Sequence, residues 1–223
     1  MRVLVFNGWA AGPETWALTT FRRDWTFSYI EQMDGLPERV ADTLDGPLLL
    51  VGFSMGGMFA QKLFLRAPGR VCGLVLVSST PRMLEDRNAG WKGMSERRLE
   101  AFRFGTKLIF RSDPSPVYDP AAMDRGLECL RHTDLRSELE RYAASDACRS
   151  RPPLPVFVVH SERDGIVRPQ NAAYFKSVFP QAEVTMVPGA EHDLPITAPG
   201  LVDHAVSRCL ELANHQLTKW RRK

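Results

Sequence analysis

The sequence predicts an α/β fold in which a mostly parallel sheet is flanked by helices. Short apolar runs alternate with amphipathic runs of helical period along the chain, and the clearest run, Leu48–Phe53, is continuously apolar. A strand without polar alternation is expected where helices cover both faces of a parallel sheet. The length of 223 residues suits one such domain and is too short for two large ones.

The predicted elements follow one another in the order that this fold requires. Strands are predicted at Val3–Phe6, Thr26–Glu31, Leu48–Phe53, Val71–Val77, Val156–His160 and Val184–Val187. Helices are predicted at Glu38–Leu44, Met55–Arg66, Gln170–Val178 and Leu201–Leu217.

The pattern changes between residues 81 and 147. This stretch has no clear strand and is densely charged, and its candidate helices are Ser95–Phe104 and Pro120–Leu130. We therefore expect residues 1–80 and 148–223 to form the core, with residues 81–147 inserted as a short helical lid.

Composition and charge exclude several classes of protein. With 44% apolar and 25% charged residues the chain is neither disordered nor fibrous, and a net charge of +3 is too mild to indicate nucleic-acid binding. Its apolar runs are far shorter than the roughly 18 residues of a membrane span, and Val3–Phe6 is too short for a signal peptide. Because the four cysteines lack paired spacing, we expect reduced thiols and a cytoplasmic location.

The segment Gly52-Phe53-Ser54-Met55-Gly56 carries the strongest functional signal. It matches the G-x-S-x-G nucleophile elbow, and a predicted strand precedes it while a predicted helix follows. Such a turn forces the serine into an unfavourable backbone conformation, and only glycine at positions 52 and 56 leaves room for neighbouring chain. Ser54 is therefore the predicted nucleophile, placed at a helix N-terminus that favours a developing anion.

A serine hydroxyl is a weak nucleophile unless a base takes its proton. Among the five histidines, His192 lies in a loop directly after the last predicted strand, where α/β sheets place reactive groups. His160 ends a buried strand, and His204 and His215 belong to the last helix, so these three are expected to be packed or solvated. We predict that His192 is the base.

The base needs a carboxylate to fix its tautomer. Asp164 follows the strand Val156–His160, and the chain order Ser54, Asp164, His192 is the order used by elbow folds. Glu162 and Glu85 are weaker candidates, and a turn or capping role for Asp164 stays open.

An oxyanion hole needs two preorganised hydrogen-bond donors. The backbone N–H of Met55, directly after the nucleophile, supplies one donor. The second is expected from the backbone N–H of Trp9, in the loop after the first strand, where Gly8 permits a tight turn. Trp9, Phe53 and Met55 are also expected to contact the substrate, although Trp9 could simply be a half-buried aromatic residue.

Several further segments match one known family along nearly the whole chain. They are Asn7-Gly8-Trp9, Trp16, Gly52–Gly57, Ala67-Pro68, Arg70-Val71, Ser78-Ser79-Thr80-Pro81, Gly126–Leu130, Asp134-Leu135-Arg136, Asp164–Val167, Pro169 and Ala190-Glu191-His192. The chain thereby resembles the α/β-hydrolases and, within them, the pimeloyl-[acyl-carrier protein] methyl ester esterases of biotin synthesis.

The resemblance implies a function and several structural features. It implies that Ser54, Asp164 and His192 form a catalytic triad, and that an insertion forms a helical lid whose basic face receives acidic acyl-carrier protein. The chain begins at what would be the third strand of the family, which implies about six strands. Asn7 stands where the family usually has histidine, and the lid is shorter than usual.

The expected lid is strongly basic. Between positions 87 and 111 seven basic residues face only two acidic ones, a surplus of five. Such a patch would attract an acidic carrier helix, with Arg97, Arg98 and Arg103 as candidate docking residues. A solvated helix face is the alternative interpretation.

The predicted triad therefore indicates a serine carboxylesterase that needs neither metal nor cofactor, and the resemblance implies pimeloyl-[acyl-carrier protein] methyl ester as its substrate. Two alternatives stay open at this point. One is another activity of the same triad: a thioesterase, a short-chain esterase or a lyase of the menaquinone-pathway type. The other is a catalytically silent binding module that keeps the fold.

Overall fold

The computed structural model describes residues 1–83 and 120–220, and within these residues six parallel strands form one sheet in the order β2-β1-β3-β4-β5-β6. The strands are β1 Arg2–Phe6, β2 Trp25–Phe27, β3 Leu48–Phe53, β4 Val71–Val77, β5 Val156–Ser161 and β6 Glu183–Val187. The α/β fold and the number of strands in the described part of the chain agree with the sequence prediction.

Helices connect and cover these strands. They are α1 Tyr29–Met33, α2 Leu36–Thr43, α3 Met55–Arg66, α4 Pro120–His132, α5 Arg136–Ala143, α6 Asp146–Arg149, α7 Gln170–Val178, α8 Leu194–Thr197 and α9 Pro199–Trp220, with a short 3-10 helix at Pro13–Trp16. None of the helices in the described ranges is both long and apolar enough to cross a membrane.

Both faces of the sheet are buried along the inner strands β1, β3, β4 and β5, as their unbroken apolar runs predict, whereas the edge strand β6 is mostly exposed. Along β3, Leu50 packs into the core shared with Met58 of α3, whereas Leu49 and Val51 pack into a second core shared with Val202 of α9. The alternation of side chains along a strand sends neighbouring residues to opposite faces. Every residue of β3 is therefore buried.

The predicted strand Thr26–Glu31 is wrong beyond Phe27. The strand ends there, and Ser28 begins helix α1 as its N-cap. The Ser28 side chain accepts a hydrogen bond from the Glu31 N–H, and the Glu31 carboxylate accepts one of 2.7 Å from the Ser28 N–H. This reciprocal capping box satisfies two backbone donors at once, which outweighs the weak alternation of apolar residues.

Helices α4 and α5 lie within residues 81–147, and α6 begins there and ends at Arg149. Arg82 forms an isolated β-bridge with Asp134, and the Leu135 N–H donates a hydrogen bond of 3.0 Å to the Pro81 carbonyl, which fastens this stretch beside the end of β4. The predicted helix Ser95–Phe104, with Arg97, Arg98 and Arg103, lies outside the described residues. The division into core and lid therefore stays a prediction.

Candidate active site

Ser54 lies in a sharp turn between β3 and α3, with φ 53° and ψ −124°. This left-handed backbone conformation is costly for a residue with a side chain and persists only where its surroundings enforce it. The two glycines make the turn possible: a Cβ at Gly56 would lie 2.2 Å from the Phe6 carbonyl oxygen, and one at Gly52 would lie 2.4 Å from the Gly57 Cα. The tight packing of these backbones holds Ser54 at the start of α3.

Ser79 supports the turn from the neighbouring strand. Its hydroxyl donates a hydrogen bond of 2.8 Å to the carbonyl oxygen of Ser54, and the Ser54 N–H donates one of 2.9 Å to the Val77 carbonyl. Sequence reasoning did not assign this role to Ser79. The available signal was its position two residues past the end of β4, the strand that pairs with β3.

His192 lies in the loop after β6 with its side chain only 10% exposed. Its Nε2 is 2.9 Å from the Ser54 Oγ, and its ring packs 5.1 Å from the Phe53 ring, measured between centroids. The Ser161 hydroxyl donates to the carbonyl of Glu191, which ties this loop to the end of β5. The imidazole is thus held against the serine from two sides.

Asp164 lies in the loop after β5 and is fully buried. Its Oδ2 is 2.8 Å from the His192 Nδ1, and its Oδ1 accepts hydrogen bonds of 2.8 and 2.7 Å from the backbone N–H groups of Ile166 and Val167. Burial by itself would raise the pKa of this carboxyl, but the hydrogen bond and charge of His192, with the two N–H donors, hold the pKa below its usual value.

The three side chains form one chain of hydrogen bonds. The carboxylate of Asp164 can only accept, so the Nδ1 of His192 carries a proton and its Nε2 is left to accept from the hydroxyl of Ser54. The arrangement can take the proton from Ser54 as its oxygen attacks an electrophile, with the resulting imidazolium beside a carboxylate.

The two expected oxyanion donors belong to segments that adjoin Ser54. Met55 is the first residue of α3, so its N–H is among those that a helix leaves without an intrahelical partner. The loop after β1 packs directly on the nucleophile, since a Cβ at Gly8 would lie 3.1 Å from the Ser54 Cβ. Trp9 follows in this loop, half-buried, and its indole N–H donates a hydrogen bond of 2.9 Å to the Met123 carbonyl of α4.

Phe53 is placed beneath the histidine rather than in the open. It is 4% exposed, and its ring centroid lies 5.1 Å from that of His192 and 6.4 Å from that of Trp16. Phe53 therefore packs against both the base and Trp16.

Asn7 is a supporting residue whose role was not predicted. It is fully buried, its amide Nδ2 donates a hydrogen bond of 2.9 Å to the Phe27 carbonyl, and its Oδ1 accepts one of 2.6 Å from the Trp16 indole. Asn7 thereby joins the loop after β1 to β2 and to the 3-10 helix. A buried amide is suited to this role because it both donates and accepts.

The other candidate residues do not contact Ser54 in the described parts of the chain. His204 and His215 are exposed on α9, and Glu162 is exposed in the loop after β5. Glu85 lies outside the described residues. His160 is fully buried near Asp164. Over residues 1–83 and 120–220, no group of three or more His, Cys, Asp or Glu side chains could hold a metal ion.

The fold and the hydrogen-bonded serine, histidine and aspartate define a class of protein. A model of the alpha/beta hydrolase family matches residues 3–205, and the chain belongs to that family. Solved structures share the fold. "Structure of a thermophilic esterase" aligns with a TM-score of 0.67 at 20% identity, covering 95% of this chain and 90% of that one. An enol-lactonase from Burkholderia xenovorans LB400 aligns with a TM-score of 0.69 at 16% identity, covering 94% and 91%.

Curated relatives within this family share a more specific name. The pimeloyl-[acyl-carrier protein] methyl ester esterase of Nitrosospira multiformis is 30% identical in an alignment of 190 residues that covers 71% of this chain and 66% of that protein. The protein of the same name from Nitrosomonas europaea is 30% identical over 194 residues, covering 73% and 71%. The chain thus spans about two thirds of the length of these relatives. Family and relatives together support a hydrolase acting on ester bonds.

Proposed function

We propose that this protein is a serine carboxylesterase that hydrolyses the methyl ester of pimeloyl-[acyl-carrier protein], a step of biotin synthesis. The observation that carries the chemistry is the hydrogen-bonded chain from Ser54 through His192 to Asp164, at 2.9 and 2.8 Å. The name that the relatives from Nitrosospira and Nitrosomonas carry supports the choice of substrate.

In the first half of the proposed reaction, His192 takes the proton of Ser54 as the serine oxygen attacks the carbonyl carbon of the ester. The negative charge that forms on the carbonyl oxygen is stabilised by the backbone N–H groups of Met55 and Trp9. The tetrahedral intermediate then expels the methoxy group, which takes the proton from His192 and leaves as methanol. An acyl group stays bound to Ser54.

In the second half, water attacks the acyl carbon and gives its proton to His192. The new tetrahedral intermediate expels the Ser54 oxygen, which recovers a proton from His192, and pimeloyl-[acyl-carrier protein] is released with a free terminal carboxyl group. Asp164 stays ionised throughout, in accord with its lowered pKa, and stabilises the imidazolium in both halves. The proposal requires no metal or cofactor.

The carrier protein is a proposed partner. Residues 87–111 carry a surplus of five positive charges, and Arg97, Arg98 and Arg103 are the proposed docking residues on this stretch. Half-buried Trp9 is proposed to contact the acyl chain directly, and the buried side chains of Phe53 and Met55, 4% and 2% exposed, are proposed to back the acyl site from within the core. A cytoplasmic location completes the proposal, since all four cysteines are free thiols, as is usual in a reducing compartment.

The test compares pimeloyl-[acyl-carrier protein] methyl ester with a small aryl ester as substrates of the wild type and of Ser54→Ala. We expect the wild type to hydrolyse both, and Ser54→Ala to lose on the order of 10⁴-fold or more in kcat on each while keeping its melting temperature. Ser177→Ala, an exposed site on α7, is the matched control. Hydrolysis by Ser54→Ala at the wild-type rate would refute the assignment of the nucleophile.

A second comparison tests the substrate and the docking residues. Neutralising Arg97, Arg98 and Arg103 together should raise KM for the carrier-linked ester, most strongly at low salt, and leave the aryl ester unaffected. Hydrolysis of the aryl ester alone by the wild type would instead indicate a short-chain esterase. Failure of a fluorophosphonate to label Ser54 would favour the non-catalytic alternative.

A further inference from the structure

We propose that His160, a second histidine behind the catalytic carboxylate, is a positioning residue that holds Asp164 in the orientation that His192 needs; this inference rests on the proposed triad. His160 lies near the end of β5, four residues before Asp164, and its side chain is fully buried. Its Nε2 is 3.2 Å from the carbonyl oxygen of Val167 and 3.7 Å from Oδ2 of Asp164.

Val167 connects the two side chains. Its carbonyl faces the Nε2 of His160, and its N–H donates the hydrogen bond of 2.7 Å to the Oδ1 of Asp164. Val167 thus contacts His160 through its carbonyl and holds the Asp164 carboxylate through its N–H. If the histidine contact is lost, the Val167 carbonyl loses this donor, and the loop that presents the two N–H groups to Asp164 is free to shift.

The tautomer of His160 follows from its surroundings. A carbonyl oxygen only accepts, so the Nε2 carries the proton and points it toward the Val167 carbonyl and the near oxygen of Asp164. The positive end of this N–H bond lies beside the same Oδ2 that accepts from His192. It therefore favours the ionised carboxylate and opposes rotation of the carboxylate away from the base.

The other nitrogen of His160 indicates that packing alone does not explain the residue. The Nδ1 is buried and has no hydrogen-bond partner among the described parts of the chain. An unsatisfied buried acceptor lowers stability, and an apolar side chain of similar volume would avoid that penalty. A residue that retains this penalty next to a candidate catalytic group suggests a role in the site.

Two substitutions separate positioning from packing. Glutamine carries its amide nitrogen at about the same distance from Cβ as the Nε2 of histidine, so His160→Gln keeps the donor. His160→Leu fills the space without one. We expect His160→Gln to retain kcat within a few-fold, and His160→Leu to lose about 10- to 100-fold in kcat with KM nearly unchanged, as expected when a reacting group is slightly misplaced.

A spectroscopic measurement tests the mechanism apart from turnover. The proton shared by the His192 Nδ1 and the Asp164 carboxylate should give a low-field proton NMR resonance in the wild type and in His160→Gln. In His160→Leu this resonance should shift upfield or broaden. The exposed His204 on α9 provides the control, since His204→Leu makes the same exchange away from the site and should change neither the resonance nor kcat.

Three results would overturn the positioning role. One is a folded His160→Leu with wild-type kcat and an unchanged resonance, and another is an equal loss of kcat in His160→Leu and His160→Gln. If His160→Leu does not fold, His160→Asn replaces it, because the shorter amide reaches only the position of the Nδ1. The third overturning result is then an equal activity of His160→Asn and His160→Gln. Failure of the proposed function would be seen separately, as a wild type that neither hydrolyses esters nor reacts with a fluorophosphonate.

Discussion

The indole N–H of Trp9 donates a hydrogen bond of 2.9 Å to the carbonyl oxygen of Met123, which lies 114 residues further along the chain. The bond links the loop after β1, which carries a proposed oxyanion donor, to helix α4. Gly126, on the same helix, lies against the Trp9 ring: a Cβ there would be 2.5 Å from the Trp9 Cδ1. The position of α4 and the position of the oxyanion loop are therefore coupled.

Gly126→Ala tests this coupling. The added methyl group must displace the indole, and the loop with it, so we expect kcat/KM for an aryl ester to fall about 10- to 100-fold. The free energy of unfolding should fall by about 1–3 kcal/mol from the clash, partly offset by about 1 kcal/mol of helix propensity. Steady-state kinetics and urea unfolding measure the two effects.

Gly200→Ala is the matched control for this substitution. Position 200 lies on α9, and an added Cβ there meets no atom within 4 Å. This variant should keep wild-type activity and stability or gain slightly in stability. Wild-type kcat/KM in Gly126→Ala would show that α4 and the oxyanion loop move independently.

Ser79→Ala tests the support of the nucleophile elbow. The Ser79 hydroxyl donates to the Ser54 carbonyl at 2.8 Å, and its loss should lower stability by about 1 kcal/mol. Because the strained Ser54 backbone loses one restraint, kcat should fall while KM changes little. Ser177→Ala removes a hydroxyl that also donates to a backbone carbonyl, that of Tyr174, but on the surface of α7, and should leave kcat unchanged. An equal kcat for both variants would contradict the supporting role.

Much of this fold is predictable because its signals are local. The buried strand β3 and helix α3 have the predicted bounds, since a continuous apolar run and a glycine-flanked turn mark them. The predicted strand Thr26–Glu31 is wrong for a local reason also, because the capping box of Ser28 and Glu31 outweighs the weak alternation of apolar residues.

The residues of the candidate site also fall into those that local sequence patterns predict and those that only the folded structure brings together. Ser54, Asp164 and His192 can be found from chain order and from their positions after strands. The supporting contacts of Ser79, Asn7 and His160 join residues whose proximity arises only from strand pairing and loop packing. Spacing along the chain does not by itself specify these contacts, because strand pairing and loop packing decide which of the neighbouring polar groups meet.

The stability of the protein should fall as pH decreases below about 6.5, the ordinary pKa of histidine. Burial lowers the pKa of His160 in the folded state, against the opposing effects of the Val167 carbonyl and the Asp164 charge. Between the lowered pKa and 6.5 the unfolded chain binds the proton and the folded chain does not, so acid favours unfolding, by at most about 1.4 kcal/mol per pH unit. Urea unfolding from pH 7.5 to 5 measures this slope.

His160→Gln is the control for the pH dependence, because glutamine does not titrate. Its stability should change less than that of the wild type over the same range. The lowered pKa of Asp164 acts only near and below its ordinary value of 3.8, outside the measured window. Identical slopes for the two proteins would assign the pH dependence to other groups.

Asn7→Ala should destabilise the protein more than any other substitution considered for stability. It leaves the Trp16 indole N–H buried without its acceptor at 2.6 Å, an unsatisfied donor that costs about 1–3 kcal/mol, and it adds a small cavity. Asn7→His should recover part of the loss, because an imidazole nitrogen can accept from the indole. Urea unfolding ranks the three proteins, and a variant Asn7→Ala as stable as the wild type would show that the amide does not hold the loop. Any loss of activity in Asn7→Ala should arise through displacement of the loop that carries Trp9, because the Asn7 side chain bonds to Phe27 and Trp16 rather than to the triad.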